Sequence, residues 1–199
     1  MQIFTSVNAS KLMTLIRDGG VGVIPTDTVY GLVCSAASKA AVERIFTVKA
    51  RTNQPGTILA ASIDQLADLG IKRRYLKAVE QYWPNPISVI VPCGPELAYL
   101  HMGKNSLAVR IPANDELIAM LSKTGPLMTT SANTPGGVVA GNVAEAQAYF
   151  GDTVDFYVDG GEIGQQPPST IIRVVDDTIE VLRQGAVHIA DNGELKKLA

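Results

Sequence analysis

The sequence has little that could staple a fold or carry one of the familiar catalytic motifs. Its two cysteines, Cys34 and Cys93, stand far apart, with no CxxC and no set of four. That excludes a disulfide framework and a thiolate metal site, and the thiols read as reduced. Charged residues make up only 18% and aromatic residues 6% of 199 positions, against 46% hydrophobic. This balance excludes a disordered chain, and the length suffices to bury a core without staples. Net charge is −2, from 17 basic and 19 acidic residues, which excludes a basic coat for nucleic acid while leaving room for a local basic groove. No apolar run approaches the roughly 20 residues that span a bilayer. The longest runs (Val21–Pro25, Ile87–Pro92 and Ile171–Val175) are strand-sized. The opening MQIFTSVNAS has no basic stretch and no apolar stretch of signal-peptide type, so a cytoplasmic protein away from membranes is expected. HExxH, GxSxG, GxxxxGK[ST] and GxGxxG are all missing. His101 and His188 have no ligand-spaced partners, so no protein metal ligands are expected.

What is there is a repeated switch of apolar period. Strands are predicted at Val21–Ile24, Thr57–Ala61, Ile87–Pro92, Leu107–Ile111, Pro126–Thr130, Val154–Val158, Thr170–Val175 and Thr178–Leu182. Helices alternate with them. Asn8, Ser38, Ser62 or Asp64, Asn114 and Asn142 stand where they can cap helix starts, and Lys72–Trp83 reads as one helix broken at Pro84. Strands that alternate with helices and then cluster predict a single α/β domain over residues 1–190 around a twisted, open, mixed sheet. Residues 191–199 read as a polar tail that frays.

The chemistry-bearing residues stand just after strands. Pro25-Thr26-Asp27-Thr28-Val29-Tyr30-Gly31-Leu32 follows the first strand, at a carboxyl end where open α/β sheets place ligands. Its hydroxyls suit an amino acid or a phosphate; a plain turn with Asp27 capping fits equally. Lys49-Ala50-Arg51 ends a helix. The pair either converges on one anion after the chain leaves the helix or complements the helix dipole, an effect of about 0.3–1 kcal/mol. Arg110 interrupts the apolar strand Leu107–Ile111; a charge there needs a partner, either a carboxylate in the fold or an anionic ligand. Thr129-Thr130-Ser131-Ala132-Asn133 leads into Gly136-Gly137, Ser169 enters a strand and Arg183 leaves one. Cations at Lys49, Arg51, Arg110 and Arg183, with hydroxyl and amide donors and no carboxylate pair, form an inventory for holding and orienting polyanions.

PTDTVYGL, Lys49-Ala50-Arg51, Gly56–Ala61, LAVRIP, Ser131-Ala132-Asn133 and Ser169-Thr170-Ile171, in this order from about residue 8 to residue 187, resemble the YrdC-type threonylcarbamoyl-AMP synthases in their short bacterial form. The resemblance implies a central, positively lined cavity. It implies a nucleotidyltransferase that joins L-threonine, bicarbonate and ATP into threonylcarbamoyl-adenylate and pyrophosphate. A carbamate oxygen of N-carboxylated threonine would attack the α-phosphorus, with Mg²⁺ on the pyrophosphate held mainly by substrate oxygens. The adenylate would feed tRNA threonylcarbamoyl transferase proteins that modify adenosine 37 of tRNA. Carried over by position, Thr26, Tyr30, Arg110, Thr129 and Ser169 would surround threonine. Lys49, Arg51, Ser106, Ser131, Asn133 and Arg183 would face the nucleotide, with Lys49 and Arg51 as the catalytic cations.

The chain departs from the family pattern at Thr52, Pro55 and Gly56-Thr57. It also has Ala60-Ala61 where many members carry a histidine, which removes a polar contact. Two other readings therefore stay open: a non-catalytic paralogue of the same fold, and a nucleotide- or RNA-binding module.

Overall fold

The computed structural model describes residues 1–50, 54–176, 178–190 and 194–197. In chain order its elements are β1 (Gln2–Phe4), α1 (Ser10–Arg17), β2 (Gly22–Pro25), β3 (Tyr30–Ser35), α2 (Lys39–Val48), β4 (Thr57–Leu59), α3 (Ile63–Asp68), α4 (Arg73–Lys77), β5 (Ile87–Pro92) and α5 (Ala98–His101). There follow β6 (Ser106–Arg110), α6 (Asp115–Thr124), β7 (Leu127–Ser131), α7 (Val143–Phe150), β8 (Phe156–Val158), β9 (Thr170–Val175), β10 (Thr178–Arg183), β11 (Val187–Ile189) and β12 (Leu195–Lys197). Ten strands form one mixed sheet in the order β1-β8-β2-β3-β7-β4-β6-β5-β9-β10, and β11 and β12 form a small second sheet. The expected open α/β sheet in one domain is what the chain adopts. None of the helices among the described residues is long and apolar enough to cross a membrane.

Alternation along the strands sorts the side chains between two faces. Val89, Val91, Leu107, Val109, Ile58, Met128 and Ile172 point into the main core, shared with α2 and α7 through Ala41, Val42, Ile45, Ala146 and Phe150. The opposite face carries a second cluster. There Ile24, Val33, Leu59 and Leu127 meet Leu12 and Ile16 of α1 and Leu117, Met120 and Leu121 of α6. Beyond that cover, the same face is lined by Gly31, Thr57, Ala108, Thr129 and Ile171, and it is open.

Ser38, Ser62, Asn114 and Asn142 each accept a backbone N–H of their helix's first turn, as their positions predicted. Asn8 does not cap α1; Ala9 holds that place, and the Asn8 side-chain amide instead donates to the Glu116 carbonyl at the start of α6. The single helix expected at Lys72–Trp83 is α4 followed by a 3₁₀ turn at Glu80–Tyr82, because Val79 and Tyr82 take i−3 acceptors. Of the tail expected to fray, Leu195, Lys196 and Lys197 register with Ile189, His188 and Val187, and residues 191–193, 198 and 199 lie outside the described residues.

The largest difference concerns PTDTVYGL, in a stretch where no strand was predicted between Ile24 and Thr57. It closes a hairpin, with β2 antiparallel to β3. Thr26 makes the reversal: its Oγ1 accepts the amides of Thr28 and Val29 and donates to the Val29 carbonyl at 2.6 Å. All six residues of β3 are buried. A strand covered on both faces has no polar alternation, and the period-2 signal that marks half-buried strands is lost.

Candidate active site

The open part of the sheet face forms a cavity of about 520 Å³, within the size range of small-molecule sites. The β2–β3 hairpin supplies Thr26, Thr28, Val29 and Gly31, and β4 and its approach supply Pro55, Gly56 and Thr57. From β6 come Ser106, Ala108 and Arg110, which alternate with the core residues Leu107 and Val109. β7 adds Thr129, Thr130 and Ser131, and β9 and β10 add Ser169, Ile171, Arg173 and Arg183.

A continuous polar chain crosses one wall of this cavity. Arg110 Nη2 donates to Asp27 Oδ1 at 2.9 Å, and both side chains are nearly inaccessible, at 4% and 3% exposure. Arg110 Nη1 donates to Ser88 Oγ at 3.3 Å, and Ser88 and Ser169 share a 3.0 Å hydroxyl contact. Arg183 then donates to the Ser169 carbonyl from Nε at 3.1 Å and from Nη2 at 2.7 Å. Burial pushes the Arg110 guanidinium below its ordinary value, and the Asp27 carboxylate opposes that fall. Arg183 is lowered too, by burial first and then by the charge of Arg110. Two guanidiniums that sense each other, with Asp27 paired to Arg110 as the one carboxylate in the chain of contacts, leave it net positive. The arginine in an apolar strand thus meets a carboxylate in the fold, and Asp27 is that partner rather than the cap of a plain turn. The pair still lacks partners at Asp27 Oδ2 and Arg110 Nε, which are both buried. A buried charge pair is favourable only when its remaining polar atoms are satisfied.

Of the residues the sequence picked out, Thr26, Ser106, Arg110, Thr129, Ser131, Ser169 and Arg183 all line this cavity. Tyr30 lies behind it. Its hydroxyl accepts the Gly160 amide and donates to the Gly161 carbonyl, both at 2.9 Å. Burial raises its pKa, opposed by the Gly160 bond. Tyr30 therefore braces the hairpin from outside the cavity. Lys49 is also outside: it is 5% exposed, and its Nζ donates to the carbonyl of Ser131 at 2.8 Å and to the carbonyl and Oδ1 of Asn133. It holds the segment after β7, and Asn133 serves that link rather than the cavity wall. The chain leaves the α2 helix at Ala50, with φ 46°. Arg51 and Thr52 lie outside the described residues. Ala60, at the place of the family histidine, is fully buried in the main core, and its amide donates to the Arg110 carbonyl.

Thr28, one of the hydroxyls expected to suit an amino acid or a phosphate, lines the cavity, and so do Thr130, Lys104 and Arg173, which were given no role. Thr28 and Thr130 sat inside motifs already marked. Arg173 was readable as the polar residue two places after Ile171 on the cavity face of β9. Lys104 precedes β6 in a loop with no sequence signal. No group of three or more His, Cys, Asp or Glu among the described residues could hold a metal, and the Asp27 carboxylate is engaged by Arg110.

Comparison with known proteins gives this geometry a family. The family model for Sua5, YciO and YrdC proteins, described as "Telomere recombination", matches residues 14–185. The chain belongs to this family. A threonylcarbamoyl-AMP synthase of Klebsiella pneumoniae is 34% identical over 180 residues, covering 87% of this chain and 93% of that one. The structure of P. abyssi Sua5 complexed with L-threonine superposes with a TM-score of 0.83 at 26% identity over 94% of this chain, which spans only 58% of the archaeal protein. E. coli YciO superposes with a TM-score of 0.78 at 26% identity, covering 92% of this chain and 95% of that one.

Proposed function

We propose that the protein is a threonylcarbamoyl-AMP synthase that forms threonylcarbamoyl-adenylate and pyrophosphate from L-threonine, bicarbonate and MgATP. The observation that carries this reading is the Asp27–Arg110–Ser88–Ser169–Arg183 chain along one cavity. It provides a fixed guanidinium for a small carboxylate and a second one for phosphate, linked through Ser88 and Ser169. Arg110 receives the threonine carboxylate, with Asp27 and Ser88 fixing its plane, and Thr26, Thr28 and Ser169 offer hydroxyls around it. Arg183, Ser106 and Ser131 take the nucleotide, and Lys49 acts through the Ser131–Asn133 segment.

N-carboxylated threonine is short-lived in water, so proximity and exclusion of water are the main demands on the site. The residues do this by holding both reactants on one sheet face. Positive charge from Arg110 and Arg183 offsets the charge that grows on the phosphates. Mg²⁺ arrives with ATP and is held by substrate oxygens, which suits a cavity with no Asp or Glu among its described lining residues. The adenylate is then passed to proteins that transfer the threonylcarbamoyl group to tRNA.

The test is pyrophosphate release from MgATP by the purified protein, with mass detection of the adenylate. Release should require both threonine and bicarbonate. Threonine should far exceed valine, with serine between, because a site built to hydrogen-bond a hydroxyl is left with unpaired groups by its analogue. ATP binding without pyrophosphate release would replace this reading by that of a non-catalytic protein of the same fold.

A further inference from the structure

We infer that Lys104 is a phosphate-binding residue of this cavity, carried there by a loop that His101 holds in shape. The inference rests on the nucleotide reading above and adds a residue to it.

The cations on the cavity wall differ in how far they are committed. Arg110 is paired with Asp27. Arg173 is paired with Glu180 through Nη2 at 2.6 Å and Nε at 3.0 Å. Arg183 is tied to Ser169. The Lys104 side chain lines the cavity beside Ser106 and has no hydrogen bond or ion pair with any described residue. Among the described lining residues, its ammonium is thus the cation that can turn to an incoming anion without first breaking a contact. A lysine is a compact point charge on a flexible stem, suited to phosphate rather than to a carboxylate that a planar guanidinium already faces.

The backbone around it is not a casual loop. After α5, Met102, Gly103 and Asn105 all take positive φ, at 50°, 83° and 55°. For residues other than glycine this conformation is strained and persists only when its surroundings enforce it. The enforcing group is His101, which is 2% exposed. Its Nδ1 accepts the amides of Gly103 at 3.1 Å and Asn105 at 3.2 Å, and its carbonyl accepts the Lys104 amide at 2.9 Å. Nδ1, accepting twice, is unprotonated, so Nε2 carries the hydrogen and donates to the Gly94 carbonyl at 3.3 Å. His101 is therefore a positioning residue: it binds three consecutive backbone amides and fixes where Lys104 leaves the chain, directly before β6.

The experiment is calorimetric titration of the full-length protein with inorganic tripolyphosphate and, separately, with MgATP. Lys104→Ala should weaken both by about 10-fold, the loss of one charge-assisted contact, with threonine affinity unchanged. Lys104→Arg should recover most of it. His101→Ala should raise the KM for ATP while kcat and the threonine KM hold. The double variant should be no worse than His101→Ala alone, since the lysine is already misplaced. Tripolyphosphate binding equal in wild type and Lys104→Ala, or no binding by wild type, overturns the assignment. A protein that binds tripolyphosphate through Lys104 but does not turn over ATP would uphold the assignment and overturn the synthase reading.

Discussion

At the scale of single residues, the two conspicuous cations of the sequence play different parts. Arg110 faces the cavity on a partner that locks it, and Lys49 is spent on the backbone of Ser131 and Asn133. A lysine buried to 5% exposure among carbonyls is structural before it is catalytic. Lys49→Met keeps the apolar stem and removes the donors. It should lower stability by about 3 kcal/mol, since charge-assisted bonds contribute about 1.5–3 kcal/mol each and the Ser131 and Asn133 oxygens lose their ionic donor. For a domain of this size that is a melting shift of about 10 °C. Thermal unfolding decides the matter: an unchanged melting temperature with a raised ATP KM would instead place the ammonium on the phosphates, as the family resemblance implied.

Among the elements, the β9–β10 hairpin and the turn after it form the far wall of the site, and that wall is set by close backbone approach. A Cβ added at Gly185 would lie 2.1 Å from the Pro168 carbonyl oxygen and 2.6 Å from the Ser169 carbonyl carbon. Thr170 clamps the same crossing, its Oγ1 accepting the amides of Gly185 and Val187 at 3.0 and 3.3 Å. Gly185→Ala must push this crossing apart and carry Ser169 away from Arg183. The expected result is a loss of about 2–3 kcal/mol, in the range of overpacking, together with weaker binding of both threonine and ATP. Melting and binding measured on one sample would check it; a stable variant with unaltered affinities would show that the crossing does not set the site.

Taken as a whole, the molecule places one ligand site across the middle and one end of a ten-stranded sheet. Strands from β3 to β10 line the cavity, whereas β10 is an edge strand held on one side only, by β9. A ligand that spans them binds the folded state alone. MgATP at about 100 times its dissociation constant should therefore add about 2.7 kcal/mol, a rise of roughly 5–10 °C in melting temperature. Amide exchange should slow in β9 and β10 more than in the β1 and β8 strands at the opposite end. A ligand-induced rise without protection of β9–β10 would place the nucleotide elsewhere.

The sequence by itself determined the fold class, most strand positions and four of the helix caps, because these depend on local periodicity and on hydroxyl or amide side chains next to helix starts. It also supplied most of the cavity wall, since Ser106 and Arg110 share a strand face by spacing alone. Tertiary structure decided that Thr26–Gly31 is a hairpin, since β3 is buried on both faces and shows no alternation. It decided that Asp27 answers Arg110, a contact between residues 83 apart in sequence. It decided that Lys49 is engaged by the carbonyls of Ser131 and Asn133, 82 and 84 positions further along the chain. These are choices of partner, made by long-range pairing of strands, and no local pattern along the chain encodes them.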